Sequence, residues 1–354
     1  MQDMRGSVQN KHHSYTIDYI RAISALLIVL YHYTYRYNEN LYIIDSDSTV
    51  DWPFVVNWGY GAVATFFMLS GFLLAKYFNK VESSWKSLGG KLLINRLLRL
   101  YPTYWVSMSL TTVVLIWLFP AAKVTFSEFI VNLTMMASTF QVRFIDGAYW
   151  TLGYEVKFAI LLSLILTIKK VNYRKVILLI WLILSIVSSY WSENNNILCK
   201  FIRVFLITDW IQTFIAGICI YQIKSSKKHD YFYWFVWILC LINQILWISS
   251  LASLVFFLTT SLLLYHVSYL DSIIKKNLLT KSFEFIASIS YPLYLIHQMI
   301  GFAIIKLLIN NGFTNELWLL LPISVIIIFS FIIHRYIELP TSRHTFRFYP
   351  KILK

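Results

Sequence analysis

Charge is what this sequence has least of. Lys, Arg, Asp and Glu make up 14% of its 354 residues, against roughly a quarter in soluble globular proteins. With 58% of the chain hydrophobic, there is too little polar surface to cover a water-exposed globule, so the composition excludes a soluble domain and points to a polytopic membrane protein. Cysteine is scarce as well. Cys199, Cys219 and Cys240 are odd in number and show no CxxC or Cys/His spacing, which excludes a disulfide framework and a structural metal site. The thiols in apolar segments simply pack. Acidic residues number 17 against 31 basic ones, for a net charge of +14. In a soluble protein that excess would suggest nucleic acid; here its placement along the chain explains it without such a partner.

What the chain does have is long apolar runs. Ten apolar stretches read as spans of a hydrocarbon core, which needs roughly 20 residues with a range of about 17–25, the shortest lying at the low end of it: 17–37, 60–78, 100–119, 149–168, 176–191, 203–223, 232–248, 251–269, 285–309 and 317–336. The apolar segment 126–140 is too short to span and reads as interfacial or re-entrant. The first apolar run lacks a small-residue cleavage pattern and reads as a retained signal anchor. With both termini cytoplasmic, the basic connections around Lys76–Arg99, Lys169–Lys175, Lys224–Lys228 and Lys275–Lys281 and the tail from Arg335 share one side. The other side holds only Arg36, Lys123, Arg143, Lys200, Arg203 and Lys306, together with the acidic group Glu39, Asp45, Asp47 and Asp51. That is the positive-inside asymmetry of a plasma-membrane protein. No repeat or linker divides the chain, so 1–354 reads as a single all-α membrane-embedded domain.

Arg21 and His32 bracket the first apolar run. On a helix they lie about 16 Å apart in depth and within about 20° around the axis, so both point one way. Ionisable groups at such depth are functional candidates by default. Three further stretches stand out. Ser70-Gly71 interrupts the second span, as a helix-packing notch or as part of a site. Arg96 and Arg99, three residues apart at the entrance of the third span, share a face suited to phosphate oxygens. Basic residues there also satisfy topology and lipid phosphates. Glu155, in the fourth span, is placed about 9 Å into the core by helical rise. His32 is its best-placed partner, and a carboxylate there would fix the imidazole tautomer and prepare a general base. A structural Glu–Tyr hydrogen bond is the alternative.

Together these stretches resemble the acyltransferase family 3 integral-membrane proteins. IDYIRAISALLIVLYH resembles the first-helix Arg/His motif, FFMLSGF at 66–72 the second-helix signature, RLLR at 96–99 the Arg-x-x-Arg pair and YWTLGYE at 149–155 the stretch that leads to a Glu. ISYPLYLIH at 289–297 and IELP at 337–340 resemble the closing motifs. The resemblance spans the chain. It implies an O-acyltransferase, commonly an O-acetyltransferase, that takes the acyl group from cytoplasmic acyl-CoA, usually acetyl-CoA, and delivers it to a hydroxyl of a surface or exported carbohydrate. It also implies roles. Arg96 and Arg99 hold coenzyme A phosphates, with Ser70 along the tunnel. Arg21 orients the donor, His32 removes the acceptor's proton, and Glu155 orients His32 or binds the acceptor. No tightly bound cofactor, metal or nucleic acid is implied, and membrane lipids are the surroundings.

The sequence also departs from the pattern. Val156, Lys157 and Phe158 follow Glu155 where further polar and aromatic residues are usual, and Leu339 stands where a basic residue is common, which loosens a role for Glu338. No appended extracytoplasmic hydrolase-like domain is expected. His297 lies near mid-span, on the acyl path or as a satisfied core histidine; His266 and His334 also read as core histidines. A non-catalytic transporter or flippase of a glycan or lipid precursor is the alternative class, although the paired Gly/Pro-broken helices of such folds are not visible.

Overall fold

The structure, a computed structural model, describes residues 13–39, 53–80, 88–119, 123–190, 197–226, 230–247 and 250–342. The acidic loop with Asp45, Asp47 and Asp51, the basic residues beyond 342 and the side chain of Cys199 lie outside the described residues. Within them the chain forms helices and turns and no strand. In chain order the helices are α1 (Tyr15–Tyr31), α2 (Gly59–Leu74), α3 (Gly89–Leu118), α4 (Phe126–Asn132), α5 (Trp150–Leu166), α6 (Val171–Tyr190) and α7 (Ile197–Leu206). They continue as α8 (Ile211–Ser225), α9 (Tyr231–Trp247), α10 (Leu251–Tyr265), α11 (Val267–Ile273), α12 (Leu278–Asn310) and α13 (Leu320–Ile333).

All ten apolar stretches fall on helix, but fewer meet the demands of a span. Among the described residues five helices are long and apolar enough to cross a membrane, and seven if the bent pairs α7–α8 (40°) and α10–α11 (70°) are each one span. The count of ten is therefore not reached on length and apolarity. The physical reason is legible in α1 and α3, whose Tyr, Thr, Ser and Arg residues dilute their apolarity. The segment 126–140 does not cross: α4 has seven residues and ends in turns, tied to α3 through Tyr104 Oη to the Asn132 carbonyl (2.7 Å) and Trp105 Nε1 to the Leu133 carbonyl (3.0 Å).

The helices bury two apolar clusters. One gathers α2, α6, α8, α9 and α10; the other gathers α3, α12 and α13. Helices α1 and α5 serve both, and Leu92 of α3 also reaches the first: Ile20 and Ile28 of α1 face the first cluster, and Ala25 and Val29 of α1, with Tyr33 just beyond it, face the second. Phe66 and Tyr294 pack against both. A seam thus runs along α1 and α5, where polar side chains can gather without breaking either core.

Close backbone approach holds the first half together. A Cβ on Gly71 would overlap the Phe214 carbonyl oxygen, and one on Gly217 would overlap that of Met68. Small residues at such crossings let membrane helices pack at short range. The packing reading of Gly71 is therefore correct, and it leaves Ser70 to face the seam. Arg174, one of the basic residues assigned to topology, has a structural task. Fully buried, it donates to the carbonyls of Phe78 (2.6 Å), Lys80 (2.7 Å), Leu166 (2.9 Å) and Ile168 (2.6 Å). These carbonyls lie at and beyond helix C-termini, where acceptors are left open and a cation is favourable.

Candidate functional site

Two cavities lie on the seam. The first, about 140 Å³, is lined by Arg21, Arg96 and Arg99, by Ser70, Glu155 and Ser290, and by apolar residues of α2, α3 and α5. Arg21 Nη2 donates to Ser290 Oγ at 2.9 Å. Arg96 Nη2 forms an ion pair with Glu155 and donates to Ser70 Oγ at 2.7 Å, while the Ser70 hydroxyl donates to the same Glu155 oxygen at 2.9 Å. Arg99 lines the cavity with no hydrogen-bond partner among the described residues. Three guanidiniums thus share the cavity lining with one described carboxylate, with Glu338 acting electrostatically on Arg21 and Arg99 from nearby, and a group with several anionic oxygens suits the remaining excess.

Helix α3 begins at Gly89, ahead of the apolar stretch 100–119, so Arg96 and Arg99 lie about two and three turns into it. One expectation changes here. The contact expected between His32 and Glu155 is not formed, because Glu155 is taken up by Arg96 and Ser70. The cause is depth: Trp150, at the start of α5, shares a cavity with His32, and Glu155 lies five residues, or about 7.5 Å of helical rise, farther along.

His32 opens into the second cavity, about 350 Å³, with Tyr31, Tyr60, Trp150, Trp210, Arg36 and Gln298 around it. Its partner is His297. His297 Nδ1 lies 2.7 Å from the Tyr294 carbonyl, and His297 Nε2 lies 3.1 Å from His32 Nδ1, which is also 2.9 Å from the Ile28 carbonyl. A carbonyl only accepts, so both Nδ1 atoms carry protons and the pair is a one-way relay. His32 Nδ1–H donates to Ile28 and to the His297 Nε2 lone pair. That leaves the His32 Nε2 lone pair without a partner among the described residues, at the cavity wall.

The elements around the pair hold it firmly. Helix α1 changes to a π-turn over His32–Arg36, a rare irregularity often found at functional sites. The turn carries Tyr33 across to α12, where its hydroxyl donates to the His297 carbonyl at 2.9 Å. Ser290, Tyr294 and His297 recur at helical spacing along one face of α12, next to Arg21 and His32 on α1. From the other side Asp146 accepts from the backbone N–H of Ala148 (2.8 Å) and of Met299 (3.1 Å), and Tyr149 Oη donates to the Leu295 carbonyl (3.0 Å).

Of the residues singled out in the sequence, Arg21, Ser70, Arg96, Arg99 and Glu155 meet in one cavity and His32 faces the other. His297 is a buried histidine with both ring nitrogens partnered, one of them by His32. His334 hydrogen-bonds Glu338 at 2.7 Å, and His266 caps α10. Ser290, Tyr294, Gln298, Trp150 and Trp210 were missed as site residues. Ser290 and Tyr294 lie in ISYPLYLIH and Trp150 in YWTLGYE, and the spacing of Ser290, Tyr294 and His297 becomes meaningful once α12 is known to lie on α1.

No curated protein and no solved structure matches the chain. A family model described as an acyltransferase domain matches residues 14–335. With nearly the whole chain covered, this protein belongs to the acyltransferase family 3 and is a membrane acyltransferase.

Proposed function

We propose that this protein is an O-acetyltransferase of the bacterial plasma membrane, moving an acetyl group from cytoplasmic acetyl-CoA to a hydroxyl of a surface or exported carbohydrate. In this reading both termini are cytoplasmic and the arginine cavity is the donor side. Arg99, and the guanidinium nitrogens of Arg21 not engaged by Ser290, take the coenzyme A phosphates. Arg96 is already committed to Glu155 and Ser70, and fixes the position of the cavity wall.

The acceptor enters the histidine cavity. Tyr60 and Trp210 are stacked there at 6.3 Å, with Trp150 tilted against Trp210 at 5.5 Å. Broad aromatic faces with a few polar groups suit the apolar face and hydroxyls of a pyranose. Gln298, 4% exposed, offers an Oε1 atom with no partner among the described residues. The acceptor hydroxyl gives its proton to His32 Nε2 as its oxygen attacks the thioester carbonyl. The carbon–sulfur bond then breaks and the thiolate leaves, to be protonated by the imidazolium. Ser70 lies in the other cavity, where its hydroxyl donates to Glu155 and accepts from Arg96.

The observation that carries this reading is the histidine pair, which occupies His32 Nδ1 and leaves His32 Nε2 to an aromatic-walled cavity. Transfer of labelled acetyl from acetyl-CoA to envelope polysaccharide tests it, with His32→Ala beside wild type. The expected loss is at least about a hundredfold, the usual contribution of a general base. The rate should also fall toward acid as Nε2 is protonated. Full transfer by His32→Ala sinks the mechanism. Unchanged surface O-acetylation on deleting the protein sinks the function and favours a transporter or flippase.

A further inference from the structure

The two cavities meet at one place. Val63 of α2 and Tyr294 of α12 line both of them. On one side of this pair lie Arg21, Arg96 and Arg99; on the other lie His32 and Trp150. Tyr294 also packs against both apolar clusters, so the pair stands where the two halves of the bundle touch.

Neither side chain is free to swing aside. Val63 is 7% exposed, and a β-branched residue in a helix is confined to essentially one χ1 rotamer. Tyr294 is held at the tip of its ring, where its hydroxyl donates to the Ala148 carbonyl at 2.7 Å and meets Thr151 Oγ1 at 2.7 Å. Its backbone carbonyl anchors His297 Nδ1, which ties the ring's position to that of the relay. The partition between the cavities is therefore a fixed constriction rather than a door.

If a donor is gripped by the arginines and an acceptor is deprotonated at His32, the reacting carbonyl must come within about 3–3.5 Å of the acceptor oxygen. That places the acyl end of the donor between Val63 and Tyr294. We infer that Val63 and Tyr294 gauge the acyl group, admitting a short chain to the histidine cavity and rejecting longer ones. This inference rests on the function proposed above and adds the determinant of acyl-chain length. In a packed apolar site each extra methylene is worth about 10- to 200-fold in discrimination.

The test compares acetyl-CoA with butyryl-CoA as donors for wild type, Val63→Ala, Val63→Phe and Tyr294→Phe, with coenzyme A binding measured alongside. Val63→Ala should raise the butyryl-to-acetyl ratio of kcat/KM by about tenfold or more. Val63→Phe should lose acetyl transfer while binding coenzyme A as wild type does, because the arginine end is untouched. Tyr294→Phe keeps the ring and releases its tip, and should relax chain-length selection without abolishing transfer. An unchanged ratio in Val63→Ala, or wild-type transfer by Val63→Phe, overturns the gauge and leaves the proposed function standing. No transfer by wild type from either donor overturns the function and the gauge with it.

Discussion

Replacing Glu155 by Ala removes the one carboxylate that lines the arginine cavity among the described residues, and strands Arg96. The two side chains are 14% and 15% exposed, so water offers little compensation. Removing one partner of a buried ion pair costs about 3–5 kcal/mol, and the Ser70 hydroxyl loses its acceptor, about 1 kcal/mol more. Arg96→Ala should cost a similar amount, since it strands the carboxylate. The double variant removes both charges and should cost much less than the two singles added, with a coupling of about 3 kcal/mol, the upper end for residues in contact. Reversible unfolding of the four proteins in mixed detergent micelles measures all of these terms. Strictly additive losses would mean that the pair contributes nothing. A stable Glu155→Ala protein with a displaced acid limb in its pH–rate profile would put the carboxylate against His32 and refute the geometry described.

Three further outcomes are expected. His297→Ala leaves His32 Nδ1–H its Ile28 acceptor and so keeps the tautomer, but it removes the relay's second acceptor; kcat should fall about 10-fold, in line with the loss of a buried hydrogen bond of 1–3 kcal/mol, with donor KM unchanged in steady-state assays. Arg99→Ala should weaken binding of the CoA donor, read by calorimetry on solubilised protein, while a wild-type affinity would return this arginine to topology alone. Gly71→Ala forces α2 and α8 apart and should destabilise the protein by about 1–3 kcal/mol, the cost of overpacking, visible as a lowered Tm with the residual folded fraction still binding donor.

Most of the membrane character, the helical class and the inward stripe of Arg21 and His32 are decided locally. Composition and periodicity act within one segment, and a run such as ISALLIVL between two ionisable groups has few other physical solutions. The same holds for Arg96 and Arg99, whose spacing of three fixes a common face wherever the helix begins. The partners of these groups are not local. Glu155 pairs with Arg96 rather than His32 because the axial offset of α5 against α1 and α3 comes from packing, which no segment encodes by itself. His297 stands 265 positions from His32, and only the seating of α12 on α1 makes them a relay. Ser70-Gly71 shows the division within two residues: smallness announced a close approach, but the tertiary structure assigned the glycine to α8 and turned the serine toward the arginines. What the chain alone determined was therefore which groups had to be buried. Which of them share a charge or a proton was decided by the two halves meeting along α1 and α5, since hydrogen bonds depend on ångström-scale offsets between helices far apart in sequence.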